Sequence, residues 1–334
     1  MSGAGLVVGL TGGTGHIGGL LLERLVRDPE VAEVRSVARR PLTEALRASE
    51  PSSGHRAPVA HVTADLTDDA ARRALQGCDL LYHLAAQVWQ GRGAAGRQKM
   101  YAVNVEGTRN VLAARPGAIV LASSAAVYGA WPDNPLPLEE AHLPRPNREC
   151  AYARHKLLAE GLCAEHGGTW SALRLAAVVG PHADARVARS VQGYRLAVPA
   201  VRGVAQAVQW LDEIDAAEGL LAAGHDLLGP RAVAGQVLNL GTIDWLSAAN
   251  TARLAHSRVL EVPRRALLGA SEVGRRLGLA PFGPDRAVLV DGPLALSVAK
   301  AEHLLGWRPS KTSAEVLSAA LERGWRRSPR NRVP

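Results

Sequence analysis

The stretch Gly9-Leu10-Thr11-Gly12-Gly13-Thr14-Gly15-His16-Ile17-Gly18 restricts what this chain can fold into more than any other part of it. It follows the apolar run Leu6-Val7-Val8, which reads as a short buried strand, and opens an amphipathic segment carrying Ile17, Leu20, Leu21, Leu25 and Val26. Strand, tight glycine turn and helix, in that order, make the opening unit of a dinucleotide-binding fold. At Gly12, Gly15 and Gly18 the missing Cβ atoms let the backbone turn sharply, approach a pyrophosphate and pack the helix on the strand. The helix N-terminus then offers free N–H groups and a partial positive charge to the phosphates. Three glycines alone are common in loops; the flanking strand and helix give these their meaning.

The strands that follow carry candidate contacts at their ends. Val34–Ala38 reads as a second strand and runs into Arg39 and Arg40. In a dinucleotide fold this strand end meets the adenosine ribose, where an acid holds the 2′-hydroxyl and an arginine accommodates a 2′-phosphate. Two arginines and no acid favour NADP over NAD, because a guanidinium pairs with phosphate in a bidentate way. Pro51–Gly54 is a loop, Ala60–Thr63 a third strand, and Thr67 the expected N-cap of a helix from Asp68 to Leu75. Asp65, just past the third strand, is placed to touch an adenine or to serve as a turn residue; Leu66 follows it. Leu80–Leu84 is a fourth strand entering Ala85-Ala86, where small residues let a cofactor lie close to the backbone. His83, inside that apolar run, is expected to be packed and hydrogen-bonded. Gln90–Gln98 is rich in glycine and reads as a loop, followed by a helix from about Lys99 to Ala114. Ala118–Ala122 is a strand ending at Ser123-Ser124, Tyr152–Glu165 a helix, Trp170–Val179 contains a strand, and Gln236–Leu240 is a returning strand.

Composition narrows the class. A chain of 334 residues, 47% hydrophobic and 21% charged, is globular. No apolar run reaches the ~18 residues of a membrane span and the start lacks a signal-peptide pattern, so a soluble cytoplasmic protein is expected, without membrane partners. Cys78, Cys150 and Cys163 have no metal-like or paired spacing, which implies reduced thiols and no metal site. The net charge of +8 comes from dispersed arginines. Its densest cluster, at Arg323, Arg326, Arg327, Arg330 and Arg332, has no helical or strand period, and it reads as a solvated tail rather than a nucleic-acid contact.

Tyr152 and Lys156 lie at i and i+4, on one helix face. A phenol of ordinary pKa ~10 is a poor acid–base group near neutrality, and an adjacent ammonium lowers that pKa. Lys156 can also hold nicotinamide ribose hydroxyls. Ser124, at the carboxyl end of a strand where open α/β sheets place ligands, can hydrogen-bond a carbonyl or alcohol oxygen beside Tyr152. By itself such spacing is frequent by chance, with a buried tyrosine and a snorkelling lysine as the plain alternative.

Taken in order, the motifs Thr11–Gly18, Asp65-Leu66, His83-Leu84-Ala85-Ala86, Asn104-Val105-Glu106-Gly107-Thr108, Ser123–Gly129, Tyr152-Ala153-Arg154-His155-Lys156 and Leu305-Gly306-Trp307-Arg308-Pro309 resemble the extended short-chain dehydrogenase/reductase superfamily, in its NAD(P)-dependent epimerase/dehydratase-like group. The resemblance covers most of the chain. It implies an α/β Rossmann fold with a doubly wound parallel sheet and a smaller C-terminal substrate lobe. It further implies a Ser124, Tyr152 and Lys156 catalytic set, a homodimer, and cofactor contacts from Gly12, Gly15, His16, Ile17, Gly18, Arg39, Arg40, Asp65, Leu66, Leu84, Ala85, Ala86 and Asn104. The expected organisation is a dinucleotide-binding domain at residues 1–180 with returning segments at about 205–245, a substrate lobe at 181–204 and 246–322, and a basic tail at 323–334.

Departures from the family pattern bear on the substrate. Where sugar-nucleotide members show Arg-x-x-Asn, this chain has Arg174-Leu175-Ala176-Ala177. Val208–Asp215 lacks the usual diphosphate-binding arginine, leaving Arg186, Arg189, Arg195 or Arg202 to compensate. Ala125-Ala126 replaces the Asp-Glu pair of sugar 4,6-dehydratases. The expected function is therefore NADP(H)-dependent hydride transfer to or from a ketone or alcohol carbon of a small molecule. The alternatives are a nucleotide-sugar epimerase with retained NAD and a non-catalytic dinucleotide-binding protein.

Overall fold

The computed structural model describes residues 5–43, 56–91, 93–278 and 283–322; the expected Pro51–Gly54 loop and the basic tail lie outside the described residues. The strands are β1 (Leu6–Thr11), β2 (Val31–Ala38), β3 (Val59–Thr63), β4 (Leu80–His83), β5 (Ala118–Ser124), β6 (Thr169–Leu175), β7 (Ala177–Val179), β8 (Val198–Val201), β9 (Trp210–Asp212), β10 (Gln236–Leu240) and β11 (Val259–Val262). The helices are α1 (His16–Leu25), α2 (Asp69–Ala74), α3 (Gly93–Tyr101), α4 (Gly107–Leu112), α5 (Ala151–Glu165), α6 (Ala185–Gly193), α7 (Glu213–Leu228), α8 (Ala248–Leu254), α9 (Arg264–Arg276), α10 (Pro284–Ala287), α11 (Ala299–Leu305) and α12 (Ser313–Glu322). Two compact units emerge, one of Met1–Ser123, His155–Leu173 and Ala217–Leu238, the other of Ser124–Arg154, Arg174–Ala216 and Asn239–Pro334.

The first unit is built on a seven-stranded sheet in the order β10-β6-β5-β4-β1-β2-β3. β1 pairs in parallel with both β2 and β4, β2 with β3, and β4 with β5. Chain order reverses at β1, which makes the carboxyl ends of β1 and β4 the switch point where open α/β sheets take ligands. The central strands are apolar without alternation: Leu80, Leu81 and Tyr82 of β4 and Ile119, Val120 and Leu121 of β5 are all within 1% of complete burial. Strands covered on both faces require that pattern. One core cluster joins Val37, Leu66, Leu75, Leu81 and Val111; another joins Leu112, Ile119, Leu121, Ala159, Cys163 and Ala172. Each such aliphatic side chain gains about 1.5–3 kcal/mol on burial.

In the second unit β7 pairs with β9 and β8 with β11, both in parallel. Its main core gathers Val179, Val191, Trp210, Leu246, Leu317 and Leu321. Gln209 is buried and binds three backbone groups, donating to the carbonyls of Thr242 and Leu296 and accepting from Leu296 N at 3.0 Å. The expected arginine of this segment is replaced by Val208, next to Gln209.

Two local expectations are corrected. The stretch expected as a loop over Gln90–Gln98 is helical from Gly93, running through a π-helical segment at Ala102–Glu106 into α4. Met100, Val103 and Val105 are buried and hold the helix in register, which outweighs the glycine content of its first turn. The N-cap of α2 is Asp68, not Thr67. Thr67 turns back instead, its hydroxyl donating to Asp65 Oδ1 at 3.2 Å. Among the described residues no helix is long and apolar enough to cross a membrane, and no group of three His, Cys, Asp or Glu is arranged to hold a metal. All three cysteines are buried and free.

Candidate active site

The glycine turn is fixed by its own backbone. Gly12 has φ +79, a conformation open to glycine, and a Cβ there would lie 2.9 Å from Ala85 N. The turn thus rests directly on the Leu84-Ala85-Ala86 segment leaving β4, so two of the motifs picked out in the sequence meet here. Gly18 packs so closely that a Cβ on it would overlap Gly12 O. Gly15 N donates to Gly12 O at 2.8 Å and caps α1 without any side-chain bond, and no acidic residue sits in the first turn of that helix. A helix N-terminus capped by a glycine with no side chain, and half-buried small residues around it, fits a pyrophosphate.

A buried relay braces this turn. Thr108 Oγ1 donates to Asn104 O at 2.8 Å, so it can only accept from His83 Nε2 at 2.9 Å. Burial drives the His83 pKa down to about 3, so the ring is neutral and its Nδ1 accepts from Thr11 Oγ1 at 2.7 Å. Thr11 Oγ1 in turn accepts from Ala85 N at 3.2 Å. His83 is packed and hydrogen-bonded as expected.

The other residues expected to contact the cofactor differ in how far they are engaged within the fold. Arg39 and Arg40 are exposed at the end of β2, and Arg40 Nη2 reaches over to donate to Thr14 O at 2.6 Å. His61 Nε2 bonds Arg40 O at 3.0 Å and its Nδ1 meets Ser36 Oγ at 3.1 Å, which steadies that strand end. Asp65 closes a turn, its Oδ1 accepting from Thr67 N and its N donating to Asp68 Oδ2. Leu66 is buried in the core. Asn104 is also buried, and its amide pins the Gln87 backbone, accepting from Gln87 N at 2.7 Å and donating to Gln87 O at 3.0 Å.

α5 carries Tyr152 and Lys156 one turn apart. Lys156 is buried and its Nζ donates to Ala122 O of β5 at 2.5 Å. Burial lowers its pKa to about 8, while Cys163 and Glu160 act in the opposite direction. Burial also pushes the Cys163 thiol up to about 12, so it is uncharged near neutrality. Glu160 accepts from Ser123 Oγ.

In the second unit Ser124 starts a 3-10 turn, its Oγ accepting from Ala126 N at 3.2 Å and bonding the Tyr152 hydroxyl. Tyr152 packs on a small cluster of Ala126, Cys150, Ala153 and Val288. Burial raises its pKa, and the strongest opposing influence is the guanidinium of Arg286, whose Cζ lies 4.6 Å from the ring centroid. Arg286, on α10, carries no signal in the sequence that would single it out. Cys150 is buried with its thiol pKa raised, an inert packing residue. Arg174 is engaged nearby in the fold: it stacks over Tyr128 at 4.7 Å, and the Tyr128 hydroxyl donates to Asn239 Oδ1 at 2.9 Å. Arg195 donates to Leu321 O at 2.7 Å.

A glycine turn at the switch point of a doubly wound parallel sheet defines an α/β protein of the Rossmann type. The NAD dependent epimerase/dehydratase family matches residues 8–241, and the chain belongs to that family. A Synechocystis protein provisionally named dihydroflavonol 4-reductase is 32% identical over 45% of this chain and 42% of its own length. UDP-glucuronic acid 4-epimerase from Bacillus cereus, solved with UDP-glucuronic acid and NAD, superposes with a TM-score of 0.71 at 19% identity, covering 96% of this chain and 99% of that one. DesIV, a dTDP-glucose 4,6-dehydratase from Streptomyces venezuelae, gives 0.71 at 22% identity over 96% and 98% of the two chains. At those identities the structures share the fold.

Proposed function

We propose that the protein is an NADP(H)-dependent oxidoreductase that moves a hydride to or from a ketone or alcohol carbon of a small molecule. The observation that carries this is α5, which presents Tyr152 in hydrogen-bond contact with Ser124 and, one turn on, a buried Lys156 anchored to Ala122 O. A bound nicotinamide supplies or accepts the hydride. Tyr152 gives its proton to the substrate oxygen or takes it back, Ser124 donates a hydrogen bond to that oxygen, and Lys156 provides positive charge along the same helix face. Arg39 and Arg40, exposed at the end of β2, where the strand runs into two arginines and not an acid, support the phosphorylated dinucleotide. Gly12, Gly15, His16, Ile17 and Gly18 would line the pyrophosphate, with Ala85 and Ala86 against the cofactor.

A second reading, a nucleotide-sugar epimerase with retained NAD, is supported by the relatives solved with nucleotide sugars. Against it stand Val208 in the place of an arginine, with its neighbour Gln209 spent on backbone groups, and Ala176-Ala177 in place of an asparagine-bearing turn. Tyr152→Phe is the test. It should reduce turnover of a carbonyl substrate by about a hundredfold or more, the range of general acid catalysis, while dinucleotide affinity stays within a factor of a few. Undiminished turnover would remove the mechanism. Interconversion of sugar epimers without net cofactor reduction would decide for the second reading.

A further inference from the structure

We propose that Arg286 is a positioning residue for Tyr152: its guanidinium holds the phenol ring from one face and provides a permanent positive charge beside it. The inference rests on the acid–base role proposed above for Tyr152 and adds a residue to it. The two side chains come from α5 and α10, far apart in sequence, and meet with Arg286 Cζ 4.6 Å from the Tyr152 centroid, inside the range of a cation–π contact. The surroundings are apolar, with Ala126, Cys150, Ala153 and Val288 packed behind the ring and Leu268 and Leu289 beside it. In such a place a phenol resists ionising, and only a nearby cation or a hydrogen bond to the oxygen offsets that resistance. Both are present, and the guanidinium outweighs the Ser124 hydrogen bond.

The other groups facing the pair are Cys150, whose thiol is held neutral by burial, and Asp285, whose carboxyl burial also pushes up. Arg154 lies near Cys150 and Arg275 near Asp285. Lys156, one helical turn from Tyr152, has its own pKa drawn down to about 8 and so loses its charge as the solution becomes alkaline. A guanidinium keeps its charge throughout. The guanidinium over the ring therefore keeps its charge above pH ~8, where Lys156 loses its own.

The test needs no substrate. A ring-fluorinated tyrosine incorporated at position 152 of the full chain, followed by fluorine NMR, reports the phenol titration directly in the wild type and in R286Q and R286H. Both variants remove the charge where the phenol titrates, so each should raise the proton affinity of the phenolate by about tenfold or more. R286H retains a planar ring and serves where R286Q fails to fold. An unchanged midpoint in either folded variant overturns the proposal. Turnover of Tyr152→Phe is scored separately: its persistence would refute the acid–base role while leaving the titration result to decide the Arg286 contact.

Discussion

Exchanging Gly12 for alanine sets two native-state costs on a single residue. At φ +79 an L-residue pays about 1–2 kcal/mol for the left-handed conformation. The new Cβ would also stand 2.9 Å from Ala85 N and 3.0 Å from Ala85 Cα. These are backbone atoms, held by the bonds from Ala85 N to Thr11 Oγ1 and from Leu84 N to Thr11 O, so they cannot swing aside as a side chain can. Overpacking of that kind costs about 1–3 kcal/mol, which brings the native-state total to about 2–5 kcal/mol. Gly161→Ala is the matched control: Gly161 lies within α5 with nothing inside 4 Å of an added Cβ, and alanine there gains about 0.5–1 kcal/mol. Both variants lose similar freedom in the unfolded chain, so their difference isolates the native turn. Urea unfolding followed by circular dichroism should place the G12A midpoint below wild type and the G161A midpoint at or above it, with equal m-values. A G12A midpoint equal to that of G161A would refute the account of the turn.

Thr108→Val leaves the His83 Nε2 proton buried without its acceptor and should destabilise the fold by about 1–3 kcal/mol in the same assay; no loss would mean the relay is not formed as described. Lys156→Met tests the cost of a buried charge. Because folding lowers the Lys156 pKa from 10.5 to about 8, the penalty for holding it charged is fully present below pH ~8 and vanishes as pH rises through 10.5. The variant should therefore be the more stable protein at neutral pH, by at most on the order of 3 kcal/mol less the lost bond to Ala122 O, with the gap closing between those two pH values. A gap independent of pH would count against it. Replacing Arg39 and Arg40 together with alanine should weaken NADPH binding by tenfold or more, roughly the value of a charge-assisted phosphate pair, and leave NADH nearly unchanged in calorimetry. Equal losses for the two dinucleotides would remove the 2′-phosphate assignment.

Much of the sheet was readable because its signals are local. Continuous apolar runs bounded by polar residues marked β4 and β5, and the returning strand was placed at Gln236–Leu240, where β10 lies. Residues 93–98 misled because composition reports intrinsic preference, while the buried Met100, Val103 and Val105 further along the same helix decide whether the first turn forms. For Asp65 the sequence allows an adenine contact or a turn; its Oδ1 bonds Thr67, and its amide bonds Asp68. Asn104, read from resemblance as a cofactor contact, spends its amide on Gln87.

By itself the sequence determined the glycine turn, the strand that feeds it, and the placing of Tyr152 and Lys156 on one helix face. Backbone sterics and helical period act over a few residues, so these features survive without knowledge of what packs on them. Tertiary structure alone decided which groups face one another across long separations. Thr11 meets His83 over 72 residues, Gln209 meets Leu296 over 87, and Arg286 settles over the Tyr152 ring. It also set the charge states, since the depressed pKa of His83, the lowered one of Lys156 and the raised one of Tyr152 all follow first from burial, a property that no single stretch of chain possesses until the fold has closed around it.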